Sequence, residues 1–201
     1  MTDTLTPLAP RADQPVLDLP PAGPAVLGGP ELRPWRATDA AALLAAGRDP
    51  AIRQWNLFEV ATADEARGRI ARMQDRWQAG TGAVWAIADG PEVLGLIGCN
   101  DLELDHGTAE LVYWLLPAAR GRGLAVAAVR RVTRWAVQEY GLHRLRLCHS
   151  TANPASCRVA EKAGYSFEGT MRGALRHADG WHDQHLHAFV LGDPLDGAPA
   201  S

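Results

Sequence analysis

The stretch Arg120-Gly121-Arg122-Gly123-Leu124-Ala125 joins an apolar strand to an amphipathic helix. Upstream, residues 110–116 read Glu-Leu-Val-Tyr-Trp-Leu-Leu, a run typical of a buried strand. Downstream, apolar side chains repeat at helical spacing, and arginines occupy the other side. A glycine-rich turn before a helix presents unpaired backbone N–H groups at the positive end of the helix dipole, and two arginines add charge. The stretch therefore predicts a phosphate cradle built mostly from main chain.

The spacing of this turn excludes two common phosphate sites. No Gly-Lys-Ser or Gly-Lys-Thr ends it, and Lys162 is the only lysine in the chain. A dinucleotide fingerprint also needs a third glycine and an acidic residue at the end of the next strand, and both are missing. Taken alone, the turn is equally well interpreted as a plain connector between a strand and a helix.

Bulk composition narrows the class of protein. A chain of 201 residues with 47% hydrophobic content can bury one good core, which favours a single folded domain. The net charge of −3 gives no reason to expect a nucleic-acid partner. Cys99, Cys148 and Cys157 follow no disulfide spacing, so a reducing cytoplasm is expected. No signal peptide and no run of 18 apolar residues is found, which predicts neither export nor a membrane span.

Proline content sets the expected domain limits. Residues 1–30 carry half of the 14 prolines, a composition that cannot sustain a helix or an inner strand. We therefore predict a flexible or surface-draped arm over residues 1–30 and a folded domain over residues 31–192. A second flexible tail, rich in proline, glycine and alanine, is predicted over residues 193–201.

The order of elements inside this domain predicts an α+β fold. Runs of strands interrupted by only a few helices indicate a mixed, mostly antiparallel central sheet flanked by helices. Strands are predicted at about residues 31–36, 84–88, 93–102, 108–116, 144–148, 165–172 and 185–191. Helices are predicted at about residues 39–47 and 50–55, after a cap at Thr62 or Asp64, after the glycine turn, and at 154–163.

A second motif begins at Asn153 and ends at Tyr165. Asn153 is a preferred N-cap residue, Pro154 suits the first helical position, and Gly164 suits the helix end. These local roles explain three residues of the motif without any ligand. They leave Ser156 unexplained, since serine in the first turn of a helix is merely acceptable.

Together the two segments resemble the GNAT acyltransferase superfamily, and more closely its branch of ribosomal-protein N-terminal acetyltransferases. The first family motif is matched by Arg120, Gly123 and Ala125. The branch's second motif is matched by Asn153, Ser156, Val159, Ala160, Gly164 and Tyr165. Residues 109–115 are similar to the family's central strand, and the resemblance extends over about residues 32–191. It implies the GNAT acyl-CoA N-acyltransferase fold.

The resemblance implies acetyl-CoA as donor and a primary amine as acceptor, with direct transfer in a ternary complex. The pantetheine arm would follow the central strand, where the neighbouring strand diverges and leaves the backbone of residues 114–116 unpaired. One N–H there would hold the developing oxyanion. A homodimer is one possibility, since members of the branch often pair through strands. The residues implied in cofactor binding are Trp114, Leu115, Leu116, Arg120, Gly121, Arg122, Gly123, Leu124, Ala125, Asn153 and Ser156.

Two catalytic residues are expected on this basis. Ser156 is the expected proton donor to the departing thiolate, and the alternative is a hydrogen bond to coenzyme A or to a backbone carbonyl. Glu110 is the expected general base, since strand alternation places it beside apolar residues that would raise its carboxyl pKa. The alternative for Glu110 is an ion pair with an arginine at a strand edge.

One departure from the branch affects the general base. Some members carry a catalytic glutamate shortly after the sixth strand, whereas residues 172–176 here read Arg-Gly-Ala-Leu-Arg. His149, His177 and a chain of water molecules remain as substitutes for that glutamate.

Histidines and tryptophans suggest two further sites. On a strand, His185 and His187 share a face while His182 points the other way, and no cysteine or carboxylate is spaced to complete a set of ligands. The sequence therefore predicts no metal. Trp35 and Trp55 lie near segments that border the acceptor in the family, with core packing as the alternative.

Three questions of function stay open at this stage. A different acyl donor such as succinyl-CoA is one alternative, although no basic group near the acyl terminus is identified. A coenzyme A-binding or interaction module without turnover is another. The acceptor, whether a protein N-terminus or a small-molecule amine, is not specified by the sequence.

Overall fold

Eight strands form one sheet in the computed structural model, which describes residues 13–19 and 30–194. The strands are β1 (Leu17–Asp18), β2 (Glu31–Pro34), β3 (Ala83–Asp89), β4 (Glu92–Glu103), β5 (Thr108–Leu115), β6 (Arg144–Ser150), β7 (Ser166–His177) and β8 (Gly180–Val190). The helices are α1 (Ala40–Arg48), α2 (Pro50–Asn56), α3 (Ala63–Gln78), α4 (Leu124–Arg134) and α5 (Pro154–Ala163). Short 3-10 turns and a π-helical segment, Trp135–Tyr140, join them.

The strand order is β1-β2-β3-β4-β5-β6-β8-β7, and every neighbouring pair is antiparallel except β5 and β6. A parallel pair requires a long crossover connection, which α4 supplies. The predicted fold class, a mixed and mostly antiparallel sheet flanked by helices, is confirmed.

The parallel pair separates soon after it begins. β5 and β6 are in register only from Thr108 opposite Arg144 to Glu110 opposite Arg146. Beyond that point β5 stays paired with β4 as far as Leu115, and β6 stays paired with β8. The sheet therefore opens into a gap between β5 and β6 without losing its outer pairings.

Alternation along the strands gives the sheet two apolar faces. One face packs against α4 and the π-helical segment, where Trp77, Trp85 and Trp135 are buried. The other face packs against α1, α2 and α3 around Trp35 and Trp114. Both faces of the sheet are thus covered by helices.

Helix ends follow the local chemistry of the sequence. Thr62 accepts the Glu65 N–H while the Glu65 carboxylate accepts the Thr62 N–H, and this reciprocal cap starts α3 as predicted. Asn153 caps α5, Pro154 is its first residue and Gly164 ends it in the left-handed region. Both local predictions are confirmed.

The ends of the chain are described only in part. Within the predicted arm, residues 13–19 run along the sheet edge, where Leu17 is buried and Trp85 Nε1 donates to the Pro15 carbonyl. The rest of that arm and most of the predicted tail lie outside the described residues. In the described ranges, no helix is long and apolar enough to cross a membrane.

The last hairpin is longer than the sequence indicates. β7 continues to His177 and β8 begins at Gly180, whereas strands were predicted over about residues 165–172 and 185–191. The pairing register shifts twice along this hairpin, which interrupts the alternation that a sequence pattern relies on. The prediction of two short strands here is wrong in extent.

Candidate active site

The glycine turn has an open outer surface. Gly121 and Gly123 have φ angles of 74° and 76°, in the left-handed region that favours glycine. A Cβ placed on either residue would meet nothing within 4 Å. The Gly123 carbonyl accepts the Ala127 N–H at the start of α4. The backbone N–H groups that precede residue 127 in the first turn therefore lack a carbonyl partner within the helix. The turn offers backbone donors to an approaching anion.

Arg120 links this turn to α2. Its Nη2 lies 2.6 Å from Asp49 Oδ1, and its Nε donates to the Leu115 carbonyl at 3.0 Å. The same Asp49 oxygen accepts the Ile52 N–H and caps α2. Burial alone would raise the pKa of Asp49, but the bonds from Arg120 and the α2 N–H groups lower it overall.

A cavity of about 600 Å³ occupies the gap between β5 and β6. It runs from the glycine turn to the start of the gap and is also bordered by α2, α5 and β7. The predicted site residues that line it are Glu110, Trp114, Leu115, Arg120, Gly121, Ala125, Asn153 and Ser156. The predicted residues that do not line it are Leu116, Arg122, Gly123 and Leu124.

The backbone along β5 differs from the prediction. The Leu116 N–H donates to the Leu94 carbonyl at 2.9 Å, and alternation in an antiparallel ladder turns the Trp114 backbone the same way. The prediction that residues 114–116 are unpaired is therefore wrong for Trp114 and Leu116. Tyr113 and Leu115 are the residues whose backbone groups face the gap, and the Leu115 carbonyl is taken by Arg120.

Tyr113 and Ser156 form a hydrogen-bonded pair beside the gap. Their hydroxyl oxygens lie 2.9 Å apart. Burial raises the pKa of Tyr113 to about 12, so its phenol keeps its proton at neutral pH. The Ser156 N–H donates to Asn153 Oδ1 at 3.2 Å, which fixes the serine in the first turn of α5. Tyr113 was not predicted from the sequence; its position on the strand face opposite Glu110 was the available signal.

Glu110 does not have the apolar setting that was predicted. Arg146 Nε donates to Glu110 Oε2 at 2.9 Å, and Arg146 Nη2 lies 3.2 Å from Asp101. The parallel register places Arg146 directly opposite Glu110, which explains the pair. The arginine-paired alternative is confirmed, and the Glu110 carboxylate still borders the cavity.

His149 and His177 line the cavity, and each is hydrogen-bonded through its Nδ1 atom. Nδ1 of His149 lies 2.9 Å from the Ser150 carbonyl, and Nδ1 of His177 lies 2.7 Å from the Gln54 carbonyl. A carbonyl only accepts, so each Nδ1 carries the hydrogen and each Nε2 keeps a free lone pair. Neither buried Nε2 has a hydrogen-bond partner in the described part of the chain. Each is a buried acceptor atom that a proton or a cation could satisfy once it reaches the atom.

Comparison with known proteins gives this arrangement a family. Residues 31–166 match the family model described as an acetyltransferase (GNAT) domain. The chain belongs to the GNAT acetyltransferase family. The match covers the glycine turn, the gap between β5 and β6, and α5.

Individual relatives agree with this assignment. The ribosomal-protein-serine acetyltransferase of Escherichia coli is 29% identical over 114 residues, which are 57% of this chain and 64% of that enzyme. An uncharacterised N-acetyltransferase of Bacillus subtilis is 27% identical over 155 residues, 76% of this chain and 88% of that protein. For three of the curated relatives the match spans less than two thirds of their length, 56%, 64% and 48%.

A solved structure shows the same fold. A ribosomal L7/L12 alpha-N-protein acetyltransferase in complex with coenzyme A superimposes with a TM-score of 0.75 at 20% identity. The superposition covers 87% of this chain and 98% of that one. The GNAT fold predicted from the sequence is thereby confirmed.

The two tryptophans proposed to border the acceptor have different positions in this GNAT domain. Trp55 on α2 lines the cavity, and its ring lies 5.8 Å from the His177 ring. Trp35 is buried in the core, 6.2 Å from the Trp114 ring. The core-packing alternative is therefore confirmed for Trp35.

A group of metal-ligand side chains lies next to the cavity. His149, Cys157, His185 and His187 bring one potential ligand atom each to within 4.8 Å of one another. His182 is not part of this group, as strand alternation predicted. The expectation that no cysteine completes a set of ligands is wrong, because α5 packs close to β6 and carries Cys157 to this place.

Proposed function

We propose that this GNAT domain transfers the acetyl group of acetyl-CoA to a primary amine by direct attack in a ternary complex. The observation that carries the proposal is the gap between β5 and β6, which opens into a cavity with the glycine turn at one end. A thioester is already activated, so the protein mainly has to orient the two substrates and handle two proton transfers.

The donor is proposed to lie along β5. Its pyrophosphate would bind the N–H groups of residues 122–125, and Asn153 and Ser156 would border the pantetheine arm. Arg120 would hold the turn in position through Asp49, since its guanidinium already has that partner. The Leu115 N–H, which faces the gap by alternation, is the proposed donor to the thioester oxyanion. The coenzyme A-bound relative supports this placement through the shared fold.

The departing thiolate is proposed to receive its proton from Ser156, and Ser156 is proposed to receive a replacement proton from Tyr113. The 2.9 Å contact between the two hydroxyls allows Ser156 to donate its proton and regain one from Tyr113. The Tyr113 phenol is protonated at neutral pH, burial makes it a weaker acid, and the tyrosinate left after transfer regains its proton from solvent before the next turnover.

The acceptor ammonium must lose a proton before attack, and two groups on the cavity wall are proposed as its base. Glu110 is one, although it must loosen its bond to Arg146 before it can accept a proton. His177 is the other: its Nε2 has no hydrogen-bond partner among the described residues to lose, although that buried atom must become accessible to the acceptor. We favour His177 for this reason and keep Glu110 as the competing assignment.

The acceptor is proposed to enter beside α2 and β7, where Trp55, Leu175 and His177 line the cavity. This lining suits an amine carried on a partly apolar group. Ribosomal proteins are named as substrates of relatives, so a protein N-terminus is the first acceptor class to examine. We also propose a reducing, cytoplasmic setting, because all three cysteines are free.

The proposal is tested by incubating the protein with acetyl-CoA and a panel of peptides and small amines. Thiol release is followed in parallel with mass spectrometry of each acceptor. We expect stoichiometric acetylation of at least one acceptor, with succinyl-CoA as a donor control. Binding of coenzyme A with no transfer to any amine would instead support a binding module without turnover.

A further inference from the structure

We propose that His149, Cys157, His185 and His187 bind one zinc ion in a tetrahedral site. The four residues come from three elements: His149 from β6, Cys157 from α5, and the other two from β8. Three imidazoles and one thiolate are ligands that zinc prefers in proteins. This inference goes beyond acetyl transfer and does not depend on it.

Strand register and helix packing place these side chains together. His149 pairs directly with His185 across β6 and β8, and their ring centroids lie 5.4 Å apart. The His149 and His187 rings are stacked at 5.3 Å, and Cys157 Sγ lies 3.8 Å from His187 Nε2. Ligand atoms of a tetrahedral zinc site are about 3.3 to 3.7 Å apart. All four ligand atoms already lie within 4.8 Å of one another, so contraction by about 1 Å completes the site.

The hydrogen bonds and burial of these imidazoles favour metal binding. His149 donates from Nδ1 to the Ser150 carbonyl, the arrangement that commonly orients a metal-binding histidine through its other nitrogen. Its Nε2 and Nδ1 of His185 are buried and have no hydrogen-bond partner among the described residues. Burial lowers the pKa of His149 and of His187, which favours the neutral ring. Buried polar atoms without partners are uncommon, and a bound cation would satisfy them.

The surroundings of the group also suit a cation. Cys157 Sγ lies 3.5 Å from Glu161 Oε1, so a carboxylate stands beside the ligand that must release its proton to solvent when the metal binds. The Phe167 ring lies 5.0 Å from the His185 ring and 5.5 Å from the His187 ring and shields one side. Cys157 and His185 are only partly buried, which leaves a path for the ion to enter.

A bound zinc ion would fix the helix that carries the donor-side residues. Cys157 follows Ser156 directly, and Asn153 caps the same helix. The ion would tie α5 to both β6 and β8, and we assign it a structural role because all four positions are filled by protein ligands.

The test is a cobalt titration of protein without an affinity tag, after treatment with a chelator. Tetrahedral Co²⁺ with a thiolate ligand gives visible d–d bands and a near-ultraviolet charge-transfer band. We expect both bands to saturate at one Co²⁺ per chain and to disappear on addition of Zn²⁺. Zinc is also expected to raise the melting temperature of the wild-type protein, because an ion that binds only the folded state stabilises it.

Variants separate this site from adventitious binding. Cys157→Ser is expected to lose the charge-transfer band, and His185→Gln to weaken Co²⁺ binding at least about tenfold, roughly 1.4 kcal/mol. Cys148→Ser and His106→Gln change residues outside the group and are expected to bind Co²⁺ like the wild type. Circular dichroism of each chelated variant checks that it is folded.

The proposal is overturned if the folded wild-type protein shows no saturating cobalt spectrum at micromolar metal. It is also overturned if Cys157→Ser and His185→Gln both retain that spectrum unchanged. Acetyl transfer measured separately distinguishes a failure of this proposal from a failure of the proposed function.

Discussion

Single residues on the cavity wall differ in whether they can accept a proton without first losing a partner. The His177 ring is held by a hydrogen bond at Nδ1, and its buried Nε2 has no hydrogen-bond partner among the described residues, whereas the Glu110 carboxylate is already bonded to Arg146. Positioned bases contribute about 10² to 10⁴-fold to a rate. The two residues therefore predict different kinetic outcomes on removal.

His177→Gln is expected to lower kcat at neutral pH by about 10²-fold, because it removes the favoured proton acceptor. The acidic limb that an imidazole base gives to the pH profile of kcat/KM should disappear with it. Glu110→Gln is expected to have the smaller effect. The measurement is the pH profile of acetyl transfer for both variants, with His106→Gln as the matched imidazole control. A large loss in Glu110→Gln with a normal acidic limb in His177→Gln would assign the base to Glu110.

Residues whose role is local could be predicted from the sequence. Asn153 was predicted as a helix cap from its neighbours, and the structure confirms it. Tyr113 was missed because its partner, Ser156, lies 43 residues away and the contact requires β5 and α5 to be in place. The Glu110–Arg146 pair was foreseen only as an alternative, since the parallel register that creates it is a property of the sheet.

At the scale of elements, the glycine turn shows how backbone conformation prepares a binding surface. Gly123 is the N-cap residue of α4, has a left-handed φ, and has open space where a Cβ would point. Gly90, in the turn between β3 and β4, shares the left-handed φ and the open space but does not line the cavity. Substitutions at Gly123 and Gly90 can therefore be compared to separate the effect of backbone strain from the effect of a methyl group in the path of the ligand.

Gly123→Ala and Gly90→Ala should each lower the free energy of unfolding by about 1 kcal/mol, because alanine is strained in the left-handed region. Only Gly123→Ala should weaken acetyl-CoA binding, by about tenfold, since its methyl group occupies the outer surface of the turn. Isothermal titration calorimetry gives the dissociation constants, and denaturant unfolding gives the stabilities. Equal acetyl-CoA affinities in the two variants would remove the glycine turn from the binding site.

Elements with strong local signals were predicted closely, and those shaped by pairing were not. The predicted helix over residues 154–163 agrees with α5 because its cap, proline and terminal glycine are all local. The hairpin of β7 and β8 extends past its predicted ends because register shifts break the alternation. The place where β5 and β6 separate has no signal in either strand alone.

For the whole molecule, one buried ion pair anchors the first helical layer to the sheet. Arg33 on β2 makes two hydrogen bonds, of 2.7 and 3.0 Å, to the carboxylate of Asp39, and both residues are buried. The Arg36 N–H donates to the same carboxylate. Burial alone would raise the pKa of Asp39, but the bonds from Arg33 and Arg36 lower it overall.

Asp39→Asn should lower the free energy of unfolding by about 3 to 5 kcal/mol, because it removes the carboxylate that bonds both Nη atoms of the buried Arg33 and leaves only Glu31, 4.0 Å from Arg33 Nε, to balance that charge. The folded pKa of Asp39 lies below its unfolded value of 3.8, so its contribution is present above that pH and is lost as the pH falls below it. The stability difference between wild type and variant should therefore shrink below about pH 4. Urea unfolding across pH measures this.

The matched control is Asp64→Asn, which removes an exposed carboxylate paired with Arg67 in the first turn of α3. Its cost should stay below about 1 kcal/mol, since exposed ion pairs contribute little. Similar losses in the two variants, or a difference for Asp39→Asn that does not change with pH, would contradict the account of the buried pair.

The central claim is that acetyl-CoA binds in the gap between β5 and β6 with its phosphates on the glycine turn. Amide hydrogen exchange with and without acetyl-CoA tests it most directly, because bound N–H groups exchange more slowly. The account predicts protection in peptides covering residues 111–126 and 153–159, and none at the turn between β3 and β4. Protection elsewhere with both of these segments unchanged would contradict it.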